Sequence, residues 1–240
     1  EGGQVVLEGG QVVDHLAAAQ RVEQHPGVAH VAAHELDARV QVGRHGVAGA
    51  AMAALTIQLG VIASISLTTY NPVTVFELQS LFLALNVHHN SFFDPIMWLF
   101  SDKLFWAPLY AWFLWLLYKQ FPKHYWTVII AVILMIVASD QFCNLAKNGV
   151  MRLRPSQDPG IQAMVHIVND YRGGMYGFYS GHASNAFAVA LFMITIAGNK
   201  LKYLIPVCLL YATLTAYSRI YLGVHYPGDI LTGAMAGTLL

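Results

Sequence analysis

Long apolar runs broken by short charged interruptions set the pattern of this chain. From Gly46 to Phe76 there are 31 residues without a formal charge, which predicts a membrane span at about 47–68. Asn71-Pro72 reads as a cap and first turn opening the segment VTVFELQSLFLALN. That segment is apolar but carries Glu77, Gln79 and Asn86, so a helix lying in the membrane interface is expected. The run LFWAPLYAWFLWLLY at 104–118 is bounded by Lys103 and Lys119. It reaches only about 22 Å at 1.5 Å per residue, so this span is expected to borrow apolar residues from 95–102. Further spans are predicted at 125–146, 183–199 and 203–218. The last begins near Tyr226 and reaches Leu240 with about 15 residues where about 20 are needed, so the chain is expected to stop short of its natural end. The fold class is therefore all-α, a polytopic membrane bundle of about six transmembrane helices, or five if the first belongs to an extension.

Composition agrees. Hydrophobic residues make up 56% of the 240 and charged residues 11%, against about 25% charged in a soluble globular chain. A formal net charge of zero excludes a strongly basic nucleic-acid binder, so no nucleic-acid partner is expected. Cys143 and Cys208 sit inside apolar runs and read as small hydrophobes. The first fifty residues differ from the rest. They hold five of the eleven histidines, no lysine and no aromatic, and they repeat EGGQVV at 1–6 and 8–13. Residues 1–46 are read as a non-native or disordered extension, with Met52 as a candidate true beginning, and 47–240 as the functional domain.

Positive charge sets the expected orientation. Lys119 and Lys123 in one short loop, Lys200 and Lys202 in another, stand without an acid and mark the cytoplasmic side. Alternation then gathers the 147–181 loop, the start of the 183 span, the end of the 203 span and the 223–227 turn on the opposite face. Three polar clusters meet there. Lys147 and Arg154 are seven apart, and both would point one way if the helix persists, although Pro155 tends to end it. Snorkelling cations would look the same. Tyr179-Ser180-Gly181-His182 opens a span. It reads either as a plain N-cap and turn or as a helix start that receives an anion, with His182 able to give a proton. His225 and Asp229 are four apart. They form an ordinary capped start, or a carboxylate holding one ring nitrogen so that the other keeps its lone pair. Two histidines, one carboxylate and three cations on one face of a chain poor in charge point to phosphoryl chemistry. No carboxylate cluster is available for Mg²⁺, so neither metal nor cofactor is expected.

These residues resemble the type 2 phosphatidic acid phosphatases, whose pattern is K-x6-R-P, P-S-G-H and S-R-x5-H-x3-D. Here it reads Lys147-NGVMRL-Arg154-Pro155, Tyr179-Ser180-Gly181-His182 and Ser218-Arg219-IYLGV-His225-YPG-Asp229, departing only where Tyr179 replaces proline. The resemblance covers roughly 70–240, and the leader HHNSFFDPIMWLFSD looks like that of short bacterial undecaprenyl-diphosphate phosphatases. It implies a nucleophilic His225 forming a phosphohistidine, Asp229 orienting it, and His182 protonating the leaving group. It also implies that Lys147, Arg154, Arg219, Ser180 and the Gly181 amide bind the phosphoryl oxygens. Arg152 competes with Arg154, but only Arg154 precedes Pro155 at the family spacing. Asp140 shares a helical face with Asn144 and Lys147 and is expected to hold that lysine; Tyr179 is a further supporting candidate. The loop carrying Tyr171, Arg172, Gly173, Gly174, Tyr176 and Gly177 reads as a substrate rim or as interfacial turns.

The reading is a multi-pass lipid-phosphate phosphatase of the bacterial cytoplasmic membrane, its site facing outward, its partners membrane lipids and a lipid phosphate. Undecaprenyl diphosphate is the first expected substrate, with a role in cell-wall biogenesis. Phosphatidic acid, phosphatidylglycerol phosphate and lipid A phosphates are alternatives by the same chemistry. A vanadium-dependent haloperoxidase and a non-catalytic lipid-phosphate-binding membrane protein are the other two readings.

Overall fold

The computed structural model describes residues 72–197 and 201–240. The expected extension at 1–46, the span at 47–68, Asn71 and Lys200 lie outside the described residues. Among the described residues seven α-helices follow one another: α1 (Pro72–Asn86), α2 (Phe93–Ser101), α3 (Ala107–Gln120), α4 (Tyr125–Val150), α5 (Gly181–Ala197), α6 (Leu204–Tyr221) and α7 (Pro227–Thr238). Two 3₁₀ turns, Pro155–Gln157 and Gln162–Met164, interrupt the loop between α4 and α5. Among the described residues there is no strand, only an isolated antiparallel bridge between Leu153 and Tyr176. The protein is an all-α membrane bundle. α4 and α6 are long and apolar enough to cross a bilayer, and α5 is shorter at 17 residues. The outer face of α4 exposes Trp126, Ile130, Leu134, Val137 and Leu145, a row that water would not favour and lipid would.

Two expectations are corrected here. The 104–118 span borrows nothing from 95–102. Asp102 stops α2 in an extended conformation and its Oδ1 accepts the Leu104 N–H at 3.0 Å. α3 then restarts with Pro108 in its first turn, where a missing N–H costs nothing. The helix from 125 also does not carry Lys147 and Arg154 on one face. It ends at Val150, well before Pro155, with Met151 in the left-handed region at φ 50°. Arg154 therefore arrives on an extended return segment, its N–H donating to the Met175 carbonyl at 3.1 Å.

Among the described residues, the two largest buried clusters lie one behind the other along the bundle's helices α3, α5 and α6 and at α1 and α7. Phe113 and Leu117 of α3, Ala186 and Met193 of α5, and Cys208 and Tyr211 of α6 pack together. Nearer the functional end, Phe82 of α1 packs with Ala183, Ala216, Tyr226 and Ile230. Cys143 and Cys208 are buried and free, filling space as expected. α1 is anchored by Asn86, whose Nδ2 donates to the Ile220 and Tyr221 carbonyls at 3.2 and 2.9 Å.

α5 and α7 lie so close that glycine is required between them. A Cβ on Gly233 would run into the Ser180 carbonyl, and one on Gly237 into the Ser184 carbonyl. Backbone on both sides leaves no flexible end to yield. Gly237→Ala is expected to destabilise the bundle by about 1–3 kcal/mol, the usual range for forcing a methyl group into packed space. A thermal melt in detergent of the variant beside the parent checks it.

Candidate functional site

A cavity of about 460 Å³ opens where the ends of four helices meet, lined there by Lys147, Arg154, Gly181, His182, Arg219 and His225. Each element delivers its group by an identifiable local rule. α4 places Lys147 in its last turn and α6 places Arg219 in its last turn. α7 begins at Pro227 with Asp229 at its third position, where the carboxylate closes a reciprocal cap with Tyr226. His225 lies just before that cap, 1% exposed, with Asp229 at 0%.

His225 is held on both sides of its ring. Nδ1 faces Asp229 Oδ2 at 3.3 Å, and Nε2 faces Arg154 Nη1 at 3.0 Å. A guanidinium can only donate and a carboxylate can only accept, so Nδ1 carries the hydrogen and Nε2 keeps its lone pair. Asp229 Oδ2 also accepts the Tyr226 N–H at 2.9 Å. Burial pushes the His225 imidazole far below its ordinary value, to about 3, with Arg154 and Arg219 lowering it further and Asp229 offsetting only part.

The cations are braced rather than free. Arg154 also donates to the Val224 carbonyl at 3.2 Å. Gly173, at φ 67°, lies against this guanidinium, where a Cβ would come within 3.1 Å of Nη1. Arg219 donates to Ser101 Oγ and to Tyr171 Oη at 3.2 Å, its guanidinium 5.4 Å from the Tyr171 ring. Among the described residues, Nε of both Arg154 and Arg219 is buried without a hydrogen-bond partner, and Arg154 Nε faces Gly173, where a Cβ would lie 3.3 Å away. Lys147 Nζ lies 4.0 Å from the position a Cβ on Gly181 would occupy, which puts the ammonium beside the start of α5.

Other expected residues are placed differently. Ser180 is buried and caps α5, its Oγ accepting the Ala183 N–H at 3.4 Å; the cavity wall is formed by Gly181 and His182 instead. Tyr179 packs in a buried cluster with Cys143, Ala146 and Phe178, and its carbonyl accepts the Cys143 thiol at 3.3 Å. Asp140 and Asn144 do line the cavity. Asp140, however, does not hold Lys147: its Oδ1 accepts from Asn185 Nδ2 of α5 at 2.9 Å, because a neighbouring helix offers a donor in reach while the lysine lies two turns along the same face. Of the loop residues, Tyr171 lines the cavity and Gly177 fits against both Arg154 and Asp229. Arg152 emerges as a functional neighbour that spacing set aside: its Nη2 donates to Asp229 Oδ1. Ser101, Lys103 and Asn185 also line the cavity, and no pattern in the sequence singles them out.

Because His225 refuses a proton that an ordinary histidine accepts below about 6.5, the folded protein is expected to hold it neutral as the medium turns mildly acidic. Its ¹⁵N ring shifts, assigned by difference against His225→Ala, should stay those of a neutral imidazole between about pH 8 and about pH 5. A histidine titrating near 6.5 at that position would contradict the geometry.

The sequence matches the PAP2 superfamily over residues 125–240. It is 40% identical over 163 residues to a protein of Bacteroides thetaiotaomicron named lipid A 4'-phosphatase, covering 65% of this chain and 70% of that one. A Porphyromonas gingivalis protein of the same name is 37% identical over 164 residues, with 68% and 69% covered. The fold is similar to the crystal structure of a transmembrane PAP2-type phosphatidylglycerolphosphate phosphatase from Bacillus subtilis, with a TM-score of 0.58 at 18% identity over 77% of this chain and 90% of that one. The chain belongs to the PAP2 superfamily and is a phosphatase, a hydrolase of phosphoric esters.

Proposed function

We propose that this protein hydrolyses a phosphomonoester of a lipid through a phosphohistidine at His225, without a metal ion. The observation that carries this reading is the cavity itself. One end holds three cations around a neutral, oriented imidazole, and the wall continues through Phe113, Leu117, Val132, Phe192 and Met193. Along α4 the wall runs from Lys147 to Val132, about 22 Å at 1.5 Å per residue. A phosphate end joined to an apolar slot of that length suits a headgroup with its hydrocarbon chain.

In the proposed reaction the phosphoryl oxygens bind Lys147, Arg154, Arg219 and the Gly181 amide. A phosphate oxygen is a stronger acceptor than an imidazole nitrogen, so Arg154 transfers its hydrogen bond from Nε2 to the substrate and uncovers the lone pair as phosphorus arrives. Nε2 attacks phosphorus, the phosphorus–oxygen bond to the lipid breaks, and the departing oxygen takes a proton from His182. Water then attacks the phosphohistidine, returning the proton to His182, breaking the phosphorus–nitrogen bond and releasing inorganic phosphate.

The two relatives named lipid A 4'-phosphatase support a lipid A phosphate over undecaprenyl diphosphate, the first expectation. The wall adds a physical reason. Asp140, Asn144 and Asn185 beside the phosphate end suit the hydroxyl and amide groups of a sugar, whereas the Asp140 carboxylate repels a second phosphate. The positive-inside rule favours a site facing away from the cytoplasm, since Lys119 and Lys123 sit at the end of α4 remote from Lys147.

Phosphate release from lipid A, undecaprenyl diphosphate and phosphatidylglycerol phosphate, in detergent with EDTA, tests the reading. Lipid A is expected to be hydrolysed fastest, and His225→Ala to lose at least about 10³-fold in kcat. A parent active only with added metal, or a fully active His225→Ala, would sink it.

A further inference from the structure

We propose that Arg152 is a positioning residue of the reaction, holding Asp229 from the side away from His225 so that the carboxylate stays ionised and turned toward Nδ1. The inference rests on the reading of His225 as nucleophile. Asp229 is fully buried, and its two oxygens have divided duties. Oδ2 takes the His225 Nδ1–H at 3.3 Å and the Tyr226 N–H at 2.9 Å. Oδ1 takes Arg152 Nη2. A carboxylate removed from water needs a counter-charge or takes up a proton, and a neutral imidazole supplies none.

The surroundings single out Arg152 for this duty. Charged and titratable groups act on the His225–Asp229 pair from the neighbouring elements: Arg152 and Arg154 from the segment after α4, His182 from α5, Arg219 from α6 and Tyr226 before α7, while Lys147 of α4 shares the cavity wall with His225. Lys147, Arg154, His182 and Arg219 line the cavity, and Arg152 does not. The cavity cations are therefore claimed by the phosphoryl group during turnover, while Arg152 remains with Asp229. Its guanidinium is fixed for that purpose, 5.0 Å from the Phe178 ring and 5.2 Å from the Tyr226 ring. The Tyr226 hydroxyl is turned outward, donating to Asp158 Oδ2 at 3.0 Å, so that ring does not swing over the pair.

Removing the charge at 152 makes the pair hold a proton at higher pH, whichever partner takes it. A protonated Asp229 no longer orients the ring, and a protonated His225 has no lone pair. Either way the pair is disarmed, while the phosphate pocket is untouched.

The test measures kcat and KM against pH for the full chain in detergent, using whichever of the three lipids the parent hydrolyses fastest, with Arg152→Met, Arg152→Lys and His225→Ala side by side. Arg152→Met is expected to lose on the order of 10²-fold in kcat, with KM within about twofold and the acid limb of kcat/KM moved up by at least about one pH unit. Arg152→Lys, which keeps the charge but not the flat fork, should leave the limb in place and recover most of kcat. An Arg152→Met enzyme with the parent's limb overturns the inference, since lost packing lowers rate without moving a titration. If Arg152→Met does not elute from size exclusion as the parent does, Arg152→Lys decides: a loss as deep as that of His225→Ala overturns the proposal. Activity surviving in His225→Ala refutes the nucleophile reading itself, a separate result.

Discussion

A buried carboxylate left without a counter-ion is among the costliest things a membrane bundle can contain, and this fold is arranged around a buried carboxylate that has one. Asp229 takes hydrogen bonds from Arg152, His225 and the Tyr226 amide. Its own carbonyl accepts the Ser180 N–H at 3.0 Å, which joins the start of α7 to the start of α5. Gly177 allows the loop to pass, since a Cβ there would lie 3.2 Å from Asp229 Oδ2. The 151–180 segment, α5 and α7 are thus registered on one residue, through its side chain and its carbonyl, and the glycines of α7 that admit the α5 backbone preserve that register.

The cations present the opposite problem, like charges gathered in an apolar surround. Tyr171 answers part of it. Burial alone would raise its phenol, but Arg219 and Arg154 draw it below its ordinary value, and its oxygen accepts from Arg219. The ring is held in turn against Trp98 of α2, with centroids 5.6 Å apart. A network that reaches from α2 to α6 therefore fixes one guanidinium, and the direction of its donors does not depend on a flexible stem.

Much of this was legible in the sequence because hydrophobic runs and fixed spacings are local. The runs from 125 and 203 became α4 and α6, and the residues of the three blocks did converge: Lys147, Arg154, Gly181, His182, Arg219 and His225 line one cavity. What failed to show was pairing across elements. Helical spacing put Asp140 on the face of Lys147, yet its partner is Asn185 on α5. Seven residues between Lys147 and Arg154 suggested two turns of helix, but the helix ends at Val150. Past that point Leu153 pairs with Tyr176 in an extended bridge, where residues two apart point the same way. Arg152 and Arg154 therefore clasp the same pair, one at Asp229 and the other at His225. Spacing had made them rivals for a single role.

The placement of charge follows from where helices end. Inside a helix the backbone is satisfied, and only the termini offer free groups and a net dipole. Lys147 and Arg219 stand in the last turns of α4 and α6, where the dipole is negative. Asp229 stands in the first turn of α7, where it is positive. Each charge thus meets the favourable end of its own helix, a contribution of about 0.3–1 kcal/mol apiece and more when partly buried. His182 and Gly181 set the start of α5, the positive end of its dipole, on the cavity wall. An antiparallel bundle brings C-terminal and N-terminal helix ends together at the same membrane face. The alternation that lets cations and carboxylate be buried side by side is the same alternation that leaves one helix start open to an anion.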